Sequence, residues 1–169
     1  MCVKTLRDQG HDLTGYWYNP NIHPATEYLA RLNQLEAYAQ TVGLPLVIND
    51  FYGLEAFVGK VIDDLANRCE ICYEERLRSV AETAKAKGFA AFTSTLFISP
   101  YQQHERLRSI AEQIAAQVGI PFHYVDFRPD FREGQRCARE QGFYMQKYCG
   151  CVFSEADRHR KQLHSRNRG

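Results

Sequence analysis

Apolar residues follow two different spacings along the chain, and the two spacings alternate. Intervals of three and four residues predict a helix over 25–43 and another that begins near Cys72. The same spacing over 99–119 predicts the clearest helix, with Ser99 as its N-cap and Pro100 in its first turn. Shorter apolar runs predict strands over 11–18, 44–50, 89–96 and 120–127. Weaker helical patterns cover 54–66, 131–142 and 154–163.

Strands that alternate with helices are typical of a parallel, doubly wound sheet with flanking helices. We therefore predict a single α/β domain over 1–169, with a buried strand at 44–50 and a C-terminal helix and basic tail over 154–169. In such sheets, ligands bind where loops leave the carboxyl ends of the strands. The first ten residues instead have the pattern of a helix that stops at Gly10. The central strand with which this fold normally opens is therefore expected to be missing.

Composition narrows the partners and the compartment. The chain has 169 residues and a net charge of +1, and it contains no apolar run of membrane-spanning length. We expect a cytoplasmic protein without a membrane partner. In that compartment thiols stay reduced, so the six cysteines are expected to be ligands or redox groups rather than structural disulfides. The C-terminal tail carries cations that either follow a phosphate backbone or form a solvated end. These cations are Arg158, Arg160, Lys161, Arg166 and Arg168.

Two cysteine pairs carry the candidate chemistry. Cys69 and Cys72 have the spacing that directs two thiolates onto one metal or cluster, and a redox dithiol is the second interpretation. Cys149 and Cys151 are separated only by Gly150, so they can close a small, strained disulfide or share a metal centre. A structural zinc site built from both pairs, or two unreactive thiols, are the alternatives. A helix predicted to start near residue 154 is expected to lower the pKa of the second pair.

Five longer stretches resemble one family, the cobalamin-independent epoxyqueuosine reductases of the QueH type. They are TGYWYNPNIHP, RCEICYEERL, FTSTLFISPYQQHE, DFRPDFREGQ and QKYCGCVFSE, in the family's order and at its intervals. The resemblance implies a HUP-like, Rossmann-like α/β domain with a [4Fe-4S] cluster and without cobalamin. It also implies the last step of queuosine biosynthesis, in which epoxyqueuosine in tRNA is reduced to queuosine with electrons from a donor that the sequence does not identify.

The resemblance assigns roles to the two cysteine pairs. Cys69 and Cys72 match two of the four cluster ligands, and Cys149 and Cys151 match the family's redox-active disulfide. The other two family ligands are adjacent cysteines in a loop after the first strand, and this sequence does not contain that loop. Cys2 aligns beyond it and is not assigned as a ligand. We therefore expect a chain truncated at its N-terminus that binds a cluster poorly.

Further candidates lie in the predicted ligand-side loops. Asp50 is a candidate ligand for an additional iron ion or a proton donor, although a turn residue is the alternative. His23 and His104 lie in these loops, and His104 is a candidate to meet a phosphate or a base, although ordinary surface positions are commoner for both. Tyr52, Tyr101 and Tyr148 are candidates to stack on a base. Phosphate binding is assigned to Arg128, Arg132 and Arg136, with a solvated helix face as the alternative. A decayed scaffold, or a non-enzymatic zinc- or nucleic-acid-binding domain, is the alternative function.

Overall fold

Two short parallel strands and seven helices make up residues 1–166, the part of the chain that the computed structural model describes. The strands are β1 Gly15–Trp17 and β2 Leu46–Ile48. The helices are α1 Cys2–Asp8, α2 Ala25–Val42, α3 Leu54–Val61, α4 Arg68–Ala86, α5 His104–Val118, α6 Phe131–Glu140 and α7 Val152–Arg166. Short 3-10 turns at Thr95–Ile98 and Arg128–Asp130 precede α5 and α6.

The parallel pairing that the alternation predicts is confirmed, but the strands are shorter than predicted. β1 and β2 pair in parallel, with Gly15 opposite Leu46, and α2 connects them. The third and fourth predicted strands reduce to one parallel bridge between Phe92 and Phe122. The prediction that 44–50 is buried is wrong, since Ile48 is 38% exposed. Its strand pairs only with β1 in the described residues, which leaves the outer side of β2 open.

The main core lies between α4 and α5. Leu77 and Ala81 from α4 pack with Leu107 and Ala111 from α5, and none of the four is more than 1% exposed. The apolar stripe predicted for α5 is therefore confirmed, and the two alanines let the helices approach closely. Each fully buried leucine contributes about 1.5–3 kcal/mol relative to an exposed one. This core holds the first turns of α4 in place.

Several helix ends differ from their predicted positions. α4 begins at Arg68, so that both cysteines of the first pair lie inside the helix. The N-cap predicted at Ser99 is wrong, because that residue follows a 3-10 turn and its hydroxyl accepts the Tyr101 amide, while α5 begins at His104. The predicted stop of α2 is confirmed, since Gly43 adopts a left-handed φ of 58°.

The two ends of the chain bear differently on the predictions. The helical pattern of the first ten residues is confirmed by α1. α7 begins at Val152, two residues before the predicted start, and Arg168 of the basic tail lies outside the described residues. The single-domain assignment and the missing central strand stay predictions. Within 1–166, no helix is both long enough and apolar enough to cross a membrane.

Candidate functional site

The first pair of thiols lies at the start of α4. Cys69 and Cys72 are both partly buried, and Cys72 packs against a small apolar cluster of Phe57, Val61 and Cys151. Burial raises the pKa of Cys72 to about 12, although Arg76 opposes the shift by its hydrogen bond and its charge. Burial likewise raises the pKa of Cys69. Without a bound metal, both groups are therefore protonated thiols at neutral pH.

The second pair lies in the CGC loop, residues 149–151, directly before α7. Cys149 is exposed, whereas Cys151 is 6% exposed and belongs to the same apolar cluster as Phe57 and Val61. Burial raises the pKa of Cys151, and the backbone amides of Ser154 and Phe153 oppose the rise. The lowered pKa predicted from the helix start is therefore wrong for this residue, because desolvation outweighs the helix amides.

The fold brings the two pairs together from opposite ends of the sequence. Cys72 and Cys151 share one apolar cluster, and a negative charge on Cys149 raises the pKa of both Cys69 and Cys72. All four cysteines carry free thiols. Within 1–166, however, no group of three or more Cys, His, Asp or Glu side chains is arranged to hold a metal ion. The described residues therefore do not fit a complete four-thiolate cluster site and provide two of its ligands at most.

The loop before α2, one of the predicted ligand-side loops, forms one wall of this site. The His23 amide donates to the Gly150 carbonyl at 2.8 Å, and its own carbonyl accepts from the Tyr148 hydroxyl at 2.5 Å. The surface position expected for His23 is wrong, since it is 1% exposed against Tyr52 and Phe57. Burial lowers the pKa of its imidazole, so that a neutral ring is favoured.

A buried ion pair on α2 forms the second wall. Glu27 and Arg31 lie four residues apart and contact the CGC loop and the segment before it. The sequence contains one sign of them, because both fall on the helix face of Tyr28 and Leu32, where apolar residues are expected. Charged residues on such a stripe indicate buried partners, although the partners themselves are not visible in the sequence.

Asp50 lies in the turn after β2, on the carboxyl side of the sheet. Its carboxylate accepts the Tyr28 hydroxyl at 2.7 Å, and that hydroxyl accepts the Trp17 indole N–H at 3.0 Å. The side chain is exposed, and α3 begins four residues later with Gly53 as its N-cap. Asp50 thus has the turn position that was its alternative assignment, and its role towards a metal stays a prediction.

The aromatic and histidine candidates differ in their accessibility. Tyr101 is 85% exposed and Tyr52 is 38% exposed, so both present a free face. Tyr148 is partly buried, and its hydroxyl is taken by the His23 carbonyl. His104 lies in the first turn of α5, as the sequence predicts, but it is 7% exposed and its Nε2 lies 2.9 Å from the Tyr124 hydroxyl. Its ring therefore belongs to the core.

The arginine candidates are also unequal. The Arg128 guanidinium donates two hydrogen bonds to Asp126 and the Arg128 amide donates a third, which lowers the pKa of that carboxyl to about 2. Arg136 lies between Glu133 and Glu140. Arg132 is exposed and has no ion-pair partner among residues 1–166. Of the three, Arg132 has the most freely available charge.

The two remaining cysteines lie on α1 and α6, and Cys2 belongs to the core cluster against which Cys69 packs. Cys2 is buried in α1, where burial raises its pKa to about 11. Cys137 on α6 is partly buried, and its thiol donates to Glu133 at 3.5 Å. Neither residue is assigned to the candidate site.

Comparison with known proteins places the chain in a family. The model of the family described as epoxyqueuosine reductase QueH matches residues 1–157. Three relatives that bear the name epoxyqueuosine reductase QueH illustrate the similarity. The Dehalococcoides mccartyi protein is 36% identical over 155 residues, which cover 92% of this chain and 85% of the relative. The Thermotoga maritima protein is 33% identical over 168 residues, with 94% and 88% covered. The Helicobacter pylori protein is 35% identical over 159 residues, with 86% and 42% covered. The resemblance drawn from the motifs is thus confirmed, and the chain belongs to the epoxyqueuosine reductase QueH family.

Proposed function

We propose that this chain is an oxidoreductase that reduces epoxyqueuosine in tRNA to queuosine, the last step of queuosine biosynthesis. The proposal rests on membership of the family and on one observation, the convergence of the two cysteine pairs. Cys149 and Cys151 approach the start of α4, where Cys69 and Cys72 lie. The two pairs approach each other, and the one-residue spacing of Cys149 and Cys151 allows that pair to form a disulfide, which suits two-electron chemistry.

The overall reaction balances with one dithiol. The Cys149 and Cys151 thiols supply two electrons and two protons, and the Cys149–Cys151 S–S bond forms as both C–O bonds of the epoxide break. The epoxide oxygen leaves as water, and the two ring carbons become the alkene of queuosine. A low-potential electron donor then returns the disulfide to the dithiol. We place the reaction in the cytoplasm, where thiols are kept reduced.

We also propose Cys69 and Cys72 as two thiolate ligands of a metal centre, which the family resemblance gives as a [4Fe-4S] cluster without cobalamin. CxxC pairs are common ligands of such clusters. Because the described residues do not supply four ligands, the centre is assigned here only to these two thiols. Asp50 is the candidate ligand for an additional iron ion.

Contacts with tRNA are assigned to the accessible candidates. Tyr101 and Tyr52 offer faces on which an unpaired base can stack. Arg132 offers a cation for a backbone phosphate. We propose contacts with tRNA for Tyr148, His104 and Arg128 as well, on weaker grounds, since each already has a hydrogen-bond partner within the protein.

The redox assignment is tested by converting tRNA that carries epoxyqueuosine and measuring queuosine by mass spectrometry. Cys149→Ser and Cys151→Ser are expected to abolish conversion while they keep the iron content of the wild type. Cys137→Ser is the matched control, because it removes a thiol that has no assigned role, and it is expected to keep activity. Full activity in both loop variants would contradict the assignment.

The metal assignment is tested on anaerobically purified protein by iron, sulfide and zinc analysis. Cys69→Ala and Cys72→Ala are each expected to lose the iron that the wild type holds, whereas Cys137→Ala keeps it. Unchanged iron in both variants would exclude these residues as ligands. Stoichiometric zinc without sulfide would instead favour the alternative, a zinc- or nucleic-acid-binding domain.

A further inference from the structure

α2 carries an ion pair that the protein interior almost fully encloses. Glu27 is 8% exposed and Arg31 is 7% exposed, and the Arg31 Nε donates to a Glu27 carboxylate oxygen at 2.7 Å. Buried charges are costly unless their remaining donors and acceptors are also satisfied. The partners that satisfy this pair therefore indicate what it holds in place.

Those partners all come from the CGC loop and the segment before it. Arg31 donates through Nη2 to the Tyr148 carbonyl at 2.8 Å and through Nη1 to the Cys149 carbonyl at 3.1 Å. Its guanidinium also lies 5.7 Å from the centre of the Tyr148 ring. The second oxygen of Glu27 accepts the Tyr144 hydroxyl. The pair thus fixes the backbone on which Cys149 stands.

The opposite side of the loop is fixed as well. The His23 amide donates to the Gly150 carbonyl at 2.8 Å, so that three successive carbonyls, those of residues 148–150, have donors outside the loop. There is no room for a side chain at Gly150, where a Cβ would lie 2.8 Å from the Ile22 Cγ1 and 3.2 Å from the Arg31 Nη1. The peptide units between the two cysteines are therefore held in one arrangement.

We propose that the Glu27–Arg31 pair is a positioning clamp that presents Cys149 to solvent, keeps Cys151 withdrawn, and favours the dithiol over the disulfide. This inference rests on the proposed redox role of the loop. A disulfide needs its sulfurs about 2 Å apart. Cys149 is exposed and Cys151 is buried, and the hydrogen bond from Arg31 to the Cys149 carbonyl resists a movement that would bring the two sulfurs together.

The difference in exposure between Cys149 and Cys151 also gives the two sulfurs different roles when a small dithiol reduces the loop. The reagent thiolate attacks the accessible Cys149 sulfur, the Cys149–Cys151 bond breaks, and Cys151 leaves as a thiolate that takes up a proton. The second reagent thiol then attacks the mixed disulfide and releases the Cys149 thiol. The reagent ends as a disulfide, and the loop has gained two electrons and two protons.

The positioning role is tested first by alkylation of the reduced full chain with iodoacetamide. In the wild type, Cys149 is expected to react at least tenfold faster than Cys151. Arg31→Lys keeps the charge beside Glu27, but a lysine cannot span two carbonyls and a carboxylate as the guanidinium fork does. We expect the Cys149 to Cys151 rate ratio to fall at least tenfold in this variant.

The matched control is Arg78→Lys, since Arg78 also pairs with a glutamate four residues before it, but on the exposed surface of α4. It is expected to leave the ratio unchanged. The double variant Glu27→Gln with Arg31→Gln removes both charges together, so that neither is left buried alone, and it is expected to behave like Arg31→Lys. A wild-type ratio in both clamp variants would overturn the proposal.

The second measurement is the equilibrium of the loop in a dithiothreitol redox buffer, followed by thiol counting. Loss of the clamp is expected to shift the dithiol–disulfide equilibrium at least tenfold towards the disulfide. The reduction potential of the loop then becomes about 30 mV more negative. An unchanged or more positive potential would overturn the clamp. A wild-type pair that forms no reversible disulfide would instead overturn the proposed redox function, while the alkylation ratio would still report on the clamp itself.

Discussion

At the scale of the residue, Gly150 shows how little freedom the CGC loop has. Its φ of 109° is disfavoured for other residues, and an added Cβ would meet the Ile22 side chain. We expect Gly150→Ala to lower the free energy of unfolding by about 1–2 kcal/mol through the backbone alone. Repacking around the new methyl group should add about 1–3 kcal/mol. Urea unfolding measures the sum.

Gly142→Ala provides the comparison for this variant. Gly142 has a φ of 68°, but no atom outside its immediate neighbours lies within 4 Å of where its Cβ would stand. This control should therefore pay only the backbone cost. Equal losses of stability in the two variants would show that the loop yields to the methyl group, contrary to the tight packing described above.

Individual residues were predictable from the sequence only where a short motif carried them. The four cysteines of the two pairs are visible because their spacing is itself the chemical signal. Glu27 and Arg31 were not predicted as site residues, because their partners around the CGC loop are more than 100 residues away in sequence. The partners of Arg31 there are backbone carbonyls, which no side chain in the sequence reveals. Helical periodicity indicates which face a residue occupies, but it carries no information about what that face contacts.

At the scale of the element, α5 offers a test of where a helix begins. The structure gives Gln103 as its N-cap, without a side-chain hydrogen bond to the first turn. Gln103→Asp is therefore expected to stabilise the protein by about 0.5–1 kcal/mol, since it supplies the missing acceptor. Ser99→Ala should cost less than about 0.5 kcal/mol, because its hydroxyl serves a preceding turn. A loss of about 1 kcal/mol for Ser99→Ala in thermal or urea unfolding would restore Ser99 as the cap.

Helices were predicted better than strands for a physical reason. A helix of fifteen or more residues repeats its apolar spacing several times, so that α2 and α5 were recognisable, and a glycine marked the end of each. The strands here are three residues long, which is less than two repeats of the strand pattern. Apolar runs such as 89–96 and 120–127 pack into the core largely as irregular chain, and one bridge joins them.

At the scale of the whole molecule, the nearly balanced charge of the chain affects how strongly it binds tRNA. The chain has 21 basic and 20 acidic residues, so a general attraction to polyanions is weak and local cations matter more. Arg132→Ala is expected to weaken tRNA binding and to reduce the slope of log affinity against log salt by about 0.7–0.9. Filter binding or fluorescence anisotropy at several salt concentrations measures both effects.

Two further variants distinguish a phosphate contact from a change in net charge. Arg132→Lys should recover most of the affinity, since a point charge is sufficient at a phosphate. Arg78→Ala removes the same unit of charge from α4 and should leave the slope unchanged. Identical losses for Arg132→Ala and Arg78→Ala would exclude a specific contact at α6.

The overall architecture was predictable as a class and not in its detail. The α/β alternation and the parallel direction of pairing were visible, since they depend on many residues together. The arrangement of the site was not, because it depends on a few long-range contacts among residues 23, 27, 31 and 148–151. Such contacts leave no periodic trace in the chain.

The brevity of β1 and β2 has a consequence for the behaviour of the protein at high concentration. In residues 1–166, neither strand pairs with a second strand, so each has one edge without a strand partner. An open edge is a template on which another chain can add a strand and begin an aggregate. Three residues span only about 10 Å, which is too short for stable addition of a foreign strand. The short length of β1 and β2 is therefore expected to limit edge-to-edge aggregation.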